Sequence, residues 1–205
     1  MSCKLAAGLR TLRHNFTASA WRRSITAAGC ATSVEPPYTR LAQTGRAAAA
    51  AGMTRGDILT FLPDGSVNVL DTVVTHPGNQ SYVGRASRVD GHAAELAAAD
   101  KWREYRAAAG SGGGGGYTFI PLAMESFGRL GREAASFLSA LGDIAAEGGR
   151  GVSKAAFIRA AHRRISVSIV RGNARVYSCA AQQLVRAGGR SFEPGSDVPV
   201  AENVD

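Results

Sequence analysis

Cysteine is scarce in this chain. Only Cys3, Cys30 and Cys179 occur among 205 residues, an odd number with no Cys-x-x-Cys spacing. Small disulfide-stabilised domains and complete cysteine-based zinc sites need more cysteines at closer spacing. The sequence therefore excludes both classes, and a reducing compartment is the simplest expectation.

Long apolar runs are also missing. No stretch approaches the roughly 20 apolar residues that a membrane-spanning helix needs, so no membrane role is expected. The basic, acid-free segment 1–23 has the composition of an organelle transit peptide. Within it, however, Leu5, Leu9, Leu12 and Phe16 recur at helical spacing. We therefore favour a packed amphipathic helix, and a nuclear or other intracellular protein, over an imported one.

Acidic residues are nearly absent from two parts of the chain. Residues 1–56 contain eight Lys/Arg and one acidic residue, and residues 151–190 contain eight Lys/Arg and no acidic residue. The segment between them is acidic, and the whole chain has a net charge of +8. Basic flanks around an acidic centre suit an enzyme that acts on a polyanion. A helix surface that is only exposed to water can have the same excess of basic residues. The charge therefore indicates a DNA or RNA partner but no chemistry.

A pair of aspartates flanks a tight turn in the acidic segment. Two apolar runs surround Pro63-Asp64-Gly65, in which Pro presets the first turn residue and Gly supplies a positive φ. If Leu62 and Ser66 close this loop, Asp57 lies directly opposite Asp71, on the same face of the hairpin. Two neighbouring carboxylates repel each other unless a cation lies between them. The pair therefore predicts a site for Mg²⁺ or Mn²⁺.

A second register remains open for this hairpin. A two-residue Asp64-Gly65 turn would shift the pairing by one and place the two aspartates on opposite faces. Pro63 would then lie within a strand without an N–H to donate. This disfavours the alternative, in which the aspartates are solvated residues at the ends of strands.

The order of predicted elements is α-β-β-β-α-β-α-α, typical of a mixed α/β domain with a small central sheet. We expect strands at 30–34, on both sides of the hairpin, and at 117–123, where Pro121 suggests a sheet edge. Helices are expected over 5–27, over 91–108, from about 126 to 146, and after a Ser153 cap, with a break at Gly172-Asn173.

These elements predict three regions. Residues 1–150 form the core, interrupted by an alanine-rich stretch at 45–52 and a glycine-rich loop at 110–116. Residues 151–190 form a basic helical extension, and 191–205 form a disordered acidic tail. The apolar stripe of the last helix should leave its arginines in solvent as nucleic-acid contacts: Arg159, Arg163, Arg164, Arg171 and Arg175.

Several short motifs, in this order, carry a family resemblance. They are Leu12-Arg13-His14-Asn15, Gly56-Asp57, Asp71-Thr72-Val73-Val74-Thr75-His76-Pro77, Lys101 with Tyr105, and Phe119 through Gly128. The set resembles the restriction-endonuclease-like, PD-(D/E)xK region at the C-terminus of reverse transcriptases from non-LTR retrotransposons. No Tyr-x-Asp-Asp polymerase motif occurs, so we expect no reverse transcriptase activity from this chain alone.

The resemblance implies roles for individual residues. Asp57 and Asp71 would bind metal, Lys101 would contact the scissile phosphate or attacking water, and Tyr105 would support that contact. His14, with Arg13, matches a basic-His-Asn motif expected to contact nucleic acid. Cys3 matches the last ligand of a preceding zinc knuckle; the other three ligands are absent, so zinc is not expected here.

The sequence also departs from the family pattern. Gly56 replaces the usual Pro, and Val73 stands where the simplest nucleases of this class carry Lys, so activity requires Lys101 to supply that charge from a helix. The alternative is a surface Lys101 paired with Glu104 or Glu95. Glu125 is a candidate third metal ligand, although an acid just before a helix is favoured by the helix dipole anyway.

Together these patterns predict a metal-dependent DNA endonuclease domain of retroelement origin that nicks phosphodiester bonds. Two alternatives stay open: a non-catalytic, basic nucleic-acid-binding module, and an inactive retroelement remnant that still folds. An intact carboxylate pair beside Lys101 would favour the first reading over both others.

Overall fold

The computed structural model describes residues 4–34, 56–109, 117–149 and 151–186. The interpretations of Cys3, of the stretches 45–52 and 110–116, and of the tail 191–205 lie outside these residues. Described helices and strands follow in this order: α1 Lys4–Ala28, β1 Ala31–Val34, β2 Ile58–Phe61, β3 Val67–Thr75, α2 Val83–Ala86, α3 His92–Ala109, β4 Tyr117–Glu125, α4 Arg132–Glu147 and α5 Lys154–Arg186.

The strands form one four-stranded mixed sheet in the order β1-β2-β3-β4. The first three strands form an antiparallel meander, and β4 runs parallel to β3 after the crossover through α2 and α3. Pro121 lies opposite Asp71 on β4, an edge strand of this sheet, where a residue without an N–H is tolerated. The predicted mixed α/β class, with a small sheet flanked by helices, is confirmed.

The hairpin between β2 and β3 has the register predicted from its turn. The Leu62 N–H donates to the Ser66 carbonyl at 2.9 Å, and Gly65 has a φ of +84°. Ile58 pairs with Leu70 at the end of the ladder, and the Asp57 N–H donates to the carbonyl of the same Leu70 at 3.0 Å. The three-residue loop is therefore confirmed and the register shifted by one is wrong; Asp57 lies just beyond the ladder, near enough for its charge to act on Asp71.

The two faces of the sheet are covered differently. One face packs against α1, α4 and α5 through a large core that includes Trp21, Ile25, Leu70, Leu122 and Ile165. The other face is covered by α3, whose contacts form two smaller clusters around Val69 and Ala123. Successive β3 side chains alternate between the faces, so Asp71 lies on the α3 side.

The last helix is part of the main core. Its predicted stripe of Phe157, Ala161, Ile165 and Ile169 is buried, and Ser153 Oγ accepts from the Ala156 N–H at 3.3 Å as the expected cap. The predicted division at residue 150 therefore does not separate two hydrophobic cores. Among the described helices none is long and apolar enough to cross a membrane.

Two predicted helix boundaries are wrong. The helix after β4 begins at Arg132 rather than near Ser126, because a turn at Ser126–Gly128 and a bridge between Met124 and Leu130 come first. The helix α5 continues through Gly172-Asn173. At that point Asn173 Oδ1 accepts from Arg13 of α1 at 3.0 Å, and its Nδ2 donates to the Ser126 carbonyl at 2.8 Å.

Gly172 allows α1 to approach α5 closely, which makes it sensitive to substitution. A Cβ at this position would lie 2.5 Å from Arg13 Cγ and 2.8 Å from Arg13 Cβ. We therefore expect Gly172→Ala to lower the free energy of unfolding by about 1–3 kcal/mol in urea titrations, because overpacking outweighs helix propensity.

Gly8 of α1 provides the matched control for that substitution. A Cβ there meets nothing within 4 Å, so Gly8→Ala should stabilise the protein by up to about 1 kcal/mol through helix propensity. Equal effects of the two substitutions would contradict the close helix contact.

Candidate functional site

Lys101 lies beside the aspartate pair although thirty positions separate it from Asp71. Its Nζ is 3.3 Å from Asp71 Oδ2 and 3.1 Å from Glu104 Oε2. The helix α3 places Lys101 beside Asp71 because residues at helical spacing along it face the sheet one after another. Ala94 and Ala98 pack near Val73, Lys101 reaches Asp71, and Tyr105 covers Val69.

The geometric prediction for Lys101 is thus confirmed, whereas its catalytic role stays a prediction. In the first two turns of α3, Ala94 and Ala98 are buried in one cluster with Ala123 of β4. The proposed alternative partner Glu95 accepts instead from the Arg132 N–H at 2.7 Å, at the start of α4. Lys101 is therefore shared between a buried and an exposed carboxylate.

Asp71 is the most strongly perturbed carboxyl of this site. Its side chain is only 8% exposed. Burial raises the pKa of Asp71 to about 6, helped by the negative charge of Asp57 and opposed by Lys101 and His14. Burial alone would lower the pKa of Lys101, but Asp71 and Glu104 outweigh it and raise that pKa. The ionised form of Asp71 is therefore less favourable here than in water, although Lys101 and His14 partly offset its charge.

Asp57 is held by hydrogen bonds from two other elements. Its Oδ2 accepts from the Thr72 N–H of β3 at 2.6 Å, and its Oδ1 is 3.1 Å from His14 Nε2 of α1. The hydrogen bond with Asp57 raises the pKa of His14, against the opposing effect of burial. His14 thus belongs to the carboxylate site, and the sequence alone indicated it only through the family motif.

Tyr105 lies in an aromatic cluster beside the site. Its ring stacks on Phe119 with centroids 4.3 Å apart, and it meets Trp102 and Tyr117 edge-on. Burial raises the pKa of the Tyr105 hydroxyl above its ordinary value. This packing fixes the turn of α3 that follows Lys101, which is a positioning contribution. A direct role for Tyr105 at a phosphate stays a prediction.

Glu125 does not join the aspartate pair, so its prediction as a third metal ligand is wrong. It lies opposite Thr75, four residues along the strand from the Asp71 pairing and therefore about 13 Å away. Its buried Oε1 accepts from the Ala93 N–H at 3.2 Å in the first turn of α3. The carboxylate thus caps that helix N-terminus, where the helix dipole favours negative charge.

The predicted nucleic-acid contacts divide into internal and exposed residues. Arg13 is internal, since it donates to Asn173 and also to the Val74 carbonyl at 3.2 Å. Burial lowers the pKa of Arg13. Arg164 is half-buried and donates to Ser24 Oγ at 3.0 Å. The remaining predicted arginines of α5 are exposed, as expected: Arg159, Arg163, Arg171 and Arg175.

Two neighbouring carboxylates, Asp57 and Asp71, fit a hard divalent cation. Mg²⁺ is often held by one or two protein carboxylates, with water and phosphate oxygens completing its shell. Contacts from Thr72 and His14 orient Asp57 as outer contacts commonly orient metal-binding carboxylates. Among the described residues no group of three or more His, Cys, Asp or Glu side chains is arranged to hold a metal. The described chain would thus contribute two carboxylate ligands.

Neither a protein-family model nor a curated protein sequence matches this chain. The interpretation of the site therefore depends on the geometry and electrostatics of its own side chains.

Proposed function

We propose that this protein is a metal-dependent endonuclease that nicks phosphodiester bonds in DNA at the Asp57–Asp71 pair. The observation that carries the proposal is the convergence of Lys101 on Asp71 at 3.3 Å. A cation, a buried carboxylate of raised pKa and a second carboxylate whose charge acts on the first are an unfavourable arrangement for stability alone. Such arrangements are concentrated at functional sites.

Each residue of the site has a role in that reaction. Asp57 and Asp71 would hold Mg²⁺ or Mn²⁺, which when bound lowers the pKa of a coordinated water and neutralises phosphate charge. The Lys101 ammonium would stabilise the negative charge that develops on the phosphate. His14 would keep Asp57 oriented through its 3.1 Å contact. Tyr105 would hold the α3 turn that carries Lys101 in place.

The topology supports a finer assignment to the restriction-endonuclease-like, PD-(D/E)xK class. One helix, an antiparallel three-stranded meander, a helical crossover and a parallel fourth strand follow one another, with Asp57 just before β2 and Asp71 within β3. Val73 occupies the position of the usual Lys and packs near Ala94 and Ala98. In our proposal Lys101 takes over that charge, as the resemblance to nucleases of non-LTR retrotransposons implies.

A second candidate function is nucleic-acid binding without cleavage. The helices α1 and α5 favour it, because they carry five and seven Lys/Arg respectively and no acidic residue. An inactive retroelement remnant would have the same surface. Cleavage, rather than binding, therefore separates these candidates from an endonuclease.

Nicking of supercoiled plasmid tests the proposal directly. We expect conversion to open circles with Mg²⁺ or Mn²⁺ and none with EDTA, because the paired carboxylates require a divalent cation to act. Agarose gels quantify the rate. Asp57→Asn should abolish the activity, whereas Asp100→Asn on the exposed surface of α3 should leave it unchanged. Metal-independent cleavage, or none in any metal with a folded protein, would contradict the endonuclease proposal.

A further inference from the structure

A basic groove lies between α1 and α5. It has a volume of about 580 Å³, and four arginines line it, together with the hydroxyl residues Ser19 and Ser168. Arg23 comes from α1, whereas Arg163, Arg164 and Arg171 come from α5. The helices run antiparallel, as the contacts of Arg13 with Asn173 and of Arg164 with Ser24 show.

Positive charge in this groove is not neutralised by its own walls. Neither helix contains an acidic residue. Within the described parts of the chain, no carboxylate forms an ion pair with any of the four groove arginines. The side chains of Arg23, Arg163 and Arg171 are exposed. The guanidinium of Arg164 is held in place by its hydrogen bond to Ser24 Oγ. The groove is therefore a concave site for an anionic ligand.

We propose that this groove, the α1–α5 groove, binds the phosphodiester backbone of a nucleic acid. Arg163 and Arg171 are eight residues apart on one helix, which corresponds to about 12 Å. One DNA strand presents a phosphate about every 3.4 Å along the helix axis, and successive phosphates are farther apart along the backbone itself, so the groove spans at least two phosphates. Its four guanidinium groups suit phosphate oxygens in geometry and charge.

The groove faces away from the carboxylate site. His14 points toward Asp57, and the groove residues Phe16, Ser19 and Arg23 follow it on α1. At about 100° per residue, their side chains lie roughly 140–200° around the helix from His14. The groove therefore binds a nucleic-acid segment that is not at the Asp57–Asp71 pair. Only the relation of this segment to a cleavage site at Asp57–Asp71 depends on the proposed nuclease function.

Reversal of two groove charges tests the proposal. Binding of a fluorescent DNA duplex and of a labelled single strand is measured by anisotropy in EDTA, across a range of salt concentrations. Arg163→Glu/Arg171→Glu spares Arg164 because of its contact with Ser24. We expect at least about a tenfold loss of affinity and a log–log salt slope reduced by about 2, since each phosphate contact contributes about one unit.

The control carries the same change of net charge elsewhere. Arg85→Glu/Arg88→Glu alters two exposed arginines near α2, and its affinity should stay within about threefold of the parent protein. Equal losses in the two double variants, or no loss in the groove variant, would overturn the proposal. Arg163→Gln/Arg171→Gln repeats the test with a milder change if the reversal impairs folding, which thermal unfolding reports.

One further measurement completes the test. Vesicles containing anionic lipid should bind more weakly than DNA, because a flat surface cannot enter a groove; vesicle binding without nucleic-acid binding would overturn the proposal. Because binding is measured in EDTA, the divalent cation that cleavage would need is absent from this test. Groove binding can thus be confirmed or refuted whether or not the protein cleaves DNA.

Discussion

Asp71→Asn should abolish nicking and at the same time stabilise the metal-free protein at neutral pH. The amide cannot supply a negative ligand, so loss of activity follows from the proposed metal site. The gain in stability has a separate cause. Asp71 is buried, and its pKa is raised from 3.8 to about 6, so its ionised form is unfavourable in the folded state.

The pH dependence of that gain has a definite sign. Between about pH 4 and pH 6 the folded protein retains a proton on Asp71 that the unfolded chain has lost. Stability contributed by this carboxyl therefore falls as the pH rises through that window. The stabilisation by Asp71→Asn should be small near pH 4 and reach about 1–3 kcal/mol above pH 6, because each pKa unit corresponds to about 1.4 kcal/mol.

Urea unfolding in EDTA at several pH values measures this difference. Asp143→Asn is the control, since Asp143 is exposed and pairs with Lys154 at 2.7 Å; its effect should stay within about 0.5 kcal/mol and vary little with pH. Added Mg²⁺ should stabilise the parent protein but not the Asp71→Asn variant. A variant that is less stable than the parent at pH 7, or that still nicks DNA, would contradict the assignment.

The hairpin and the position of Lys101 were the most predictable parts of the site. The chemistry of Pro63-Asp64-Gly65 determines the loop length, and the loop length determines which residues face each other. The loop length brings Asp57 near Asp71, as predicted, although Asp57 lies just beyond the last pair of the ladder. Lys101 followed from the resemblance and from the geometry of a helix packed back over the hairpin.

Contacts between distant elements could not be predicted from local patterns. Gly172-Asn173 has the composition of a helix break, yet α5 continues because Arg13 packs on the glycine and donates to Asn173. The same interaction makes Arg13 internal, although its motif suggested a phosphate contact. Glu125 has the charge of a metal ligand, but only the strand register reveals its distance from Asp71.

Lys101→Ala should lower the nicking rate by about 100-fold or more while DNA binding persists. Removing one preorganised group that stabilises transition-state charge typically has an effect of this size. The kinetic measurement is single-turnover plasmid nicking at saturating protein, and anisotropy in EDTA reports binding. Lys154→Ala is the matched control, because Lys154 pairs only with the exposed Asp143 among the described carboxylates, and its nicking rate should equal that of the parent.

A Mg²⁺ titration separates two roles for Lys101. If its ammonium only balanced the charge of buried Asp71, excess Mg²⁺ would replace it and restore the rate of Lys101→Ala. If it acts on the phosphate, the rate stays low at saturating Mg²⁺. We expect the second result, because Lys101 is also shared with Glu104 and is held on a helix turn fixed by Tyr105. Such a placement on a rigid element is suited to preorganised charge stabilisation, and full rescue by metal would contradict it.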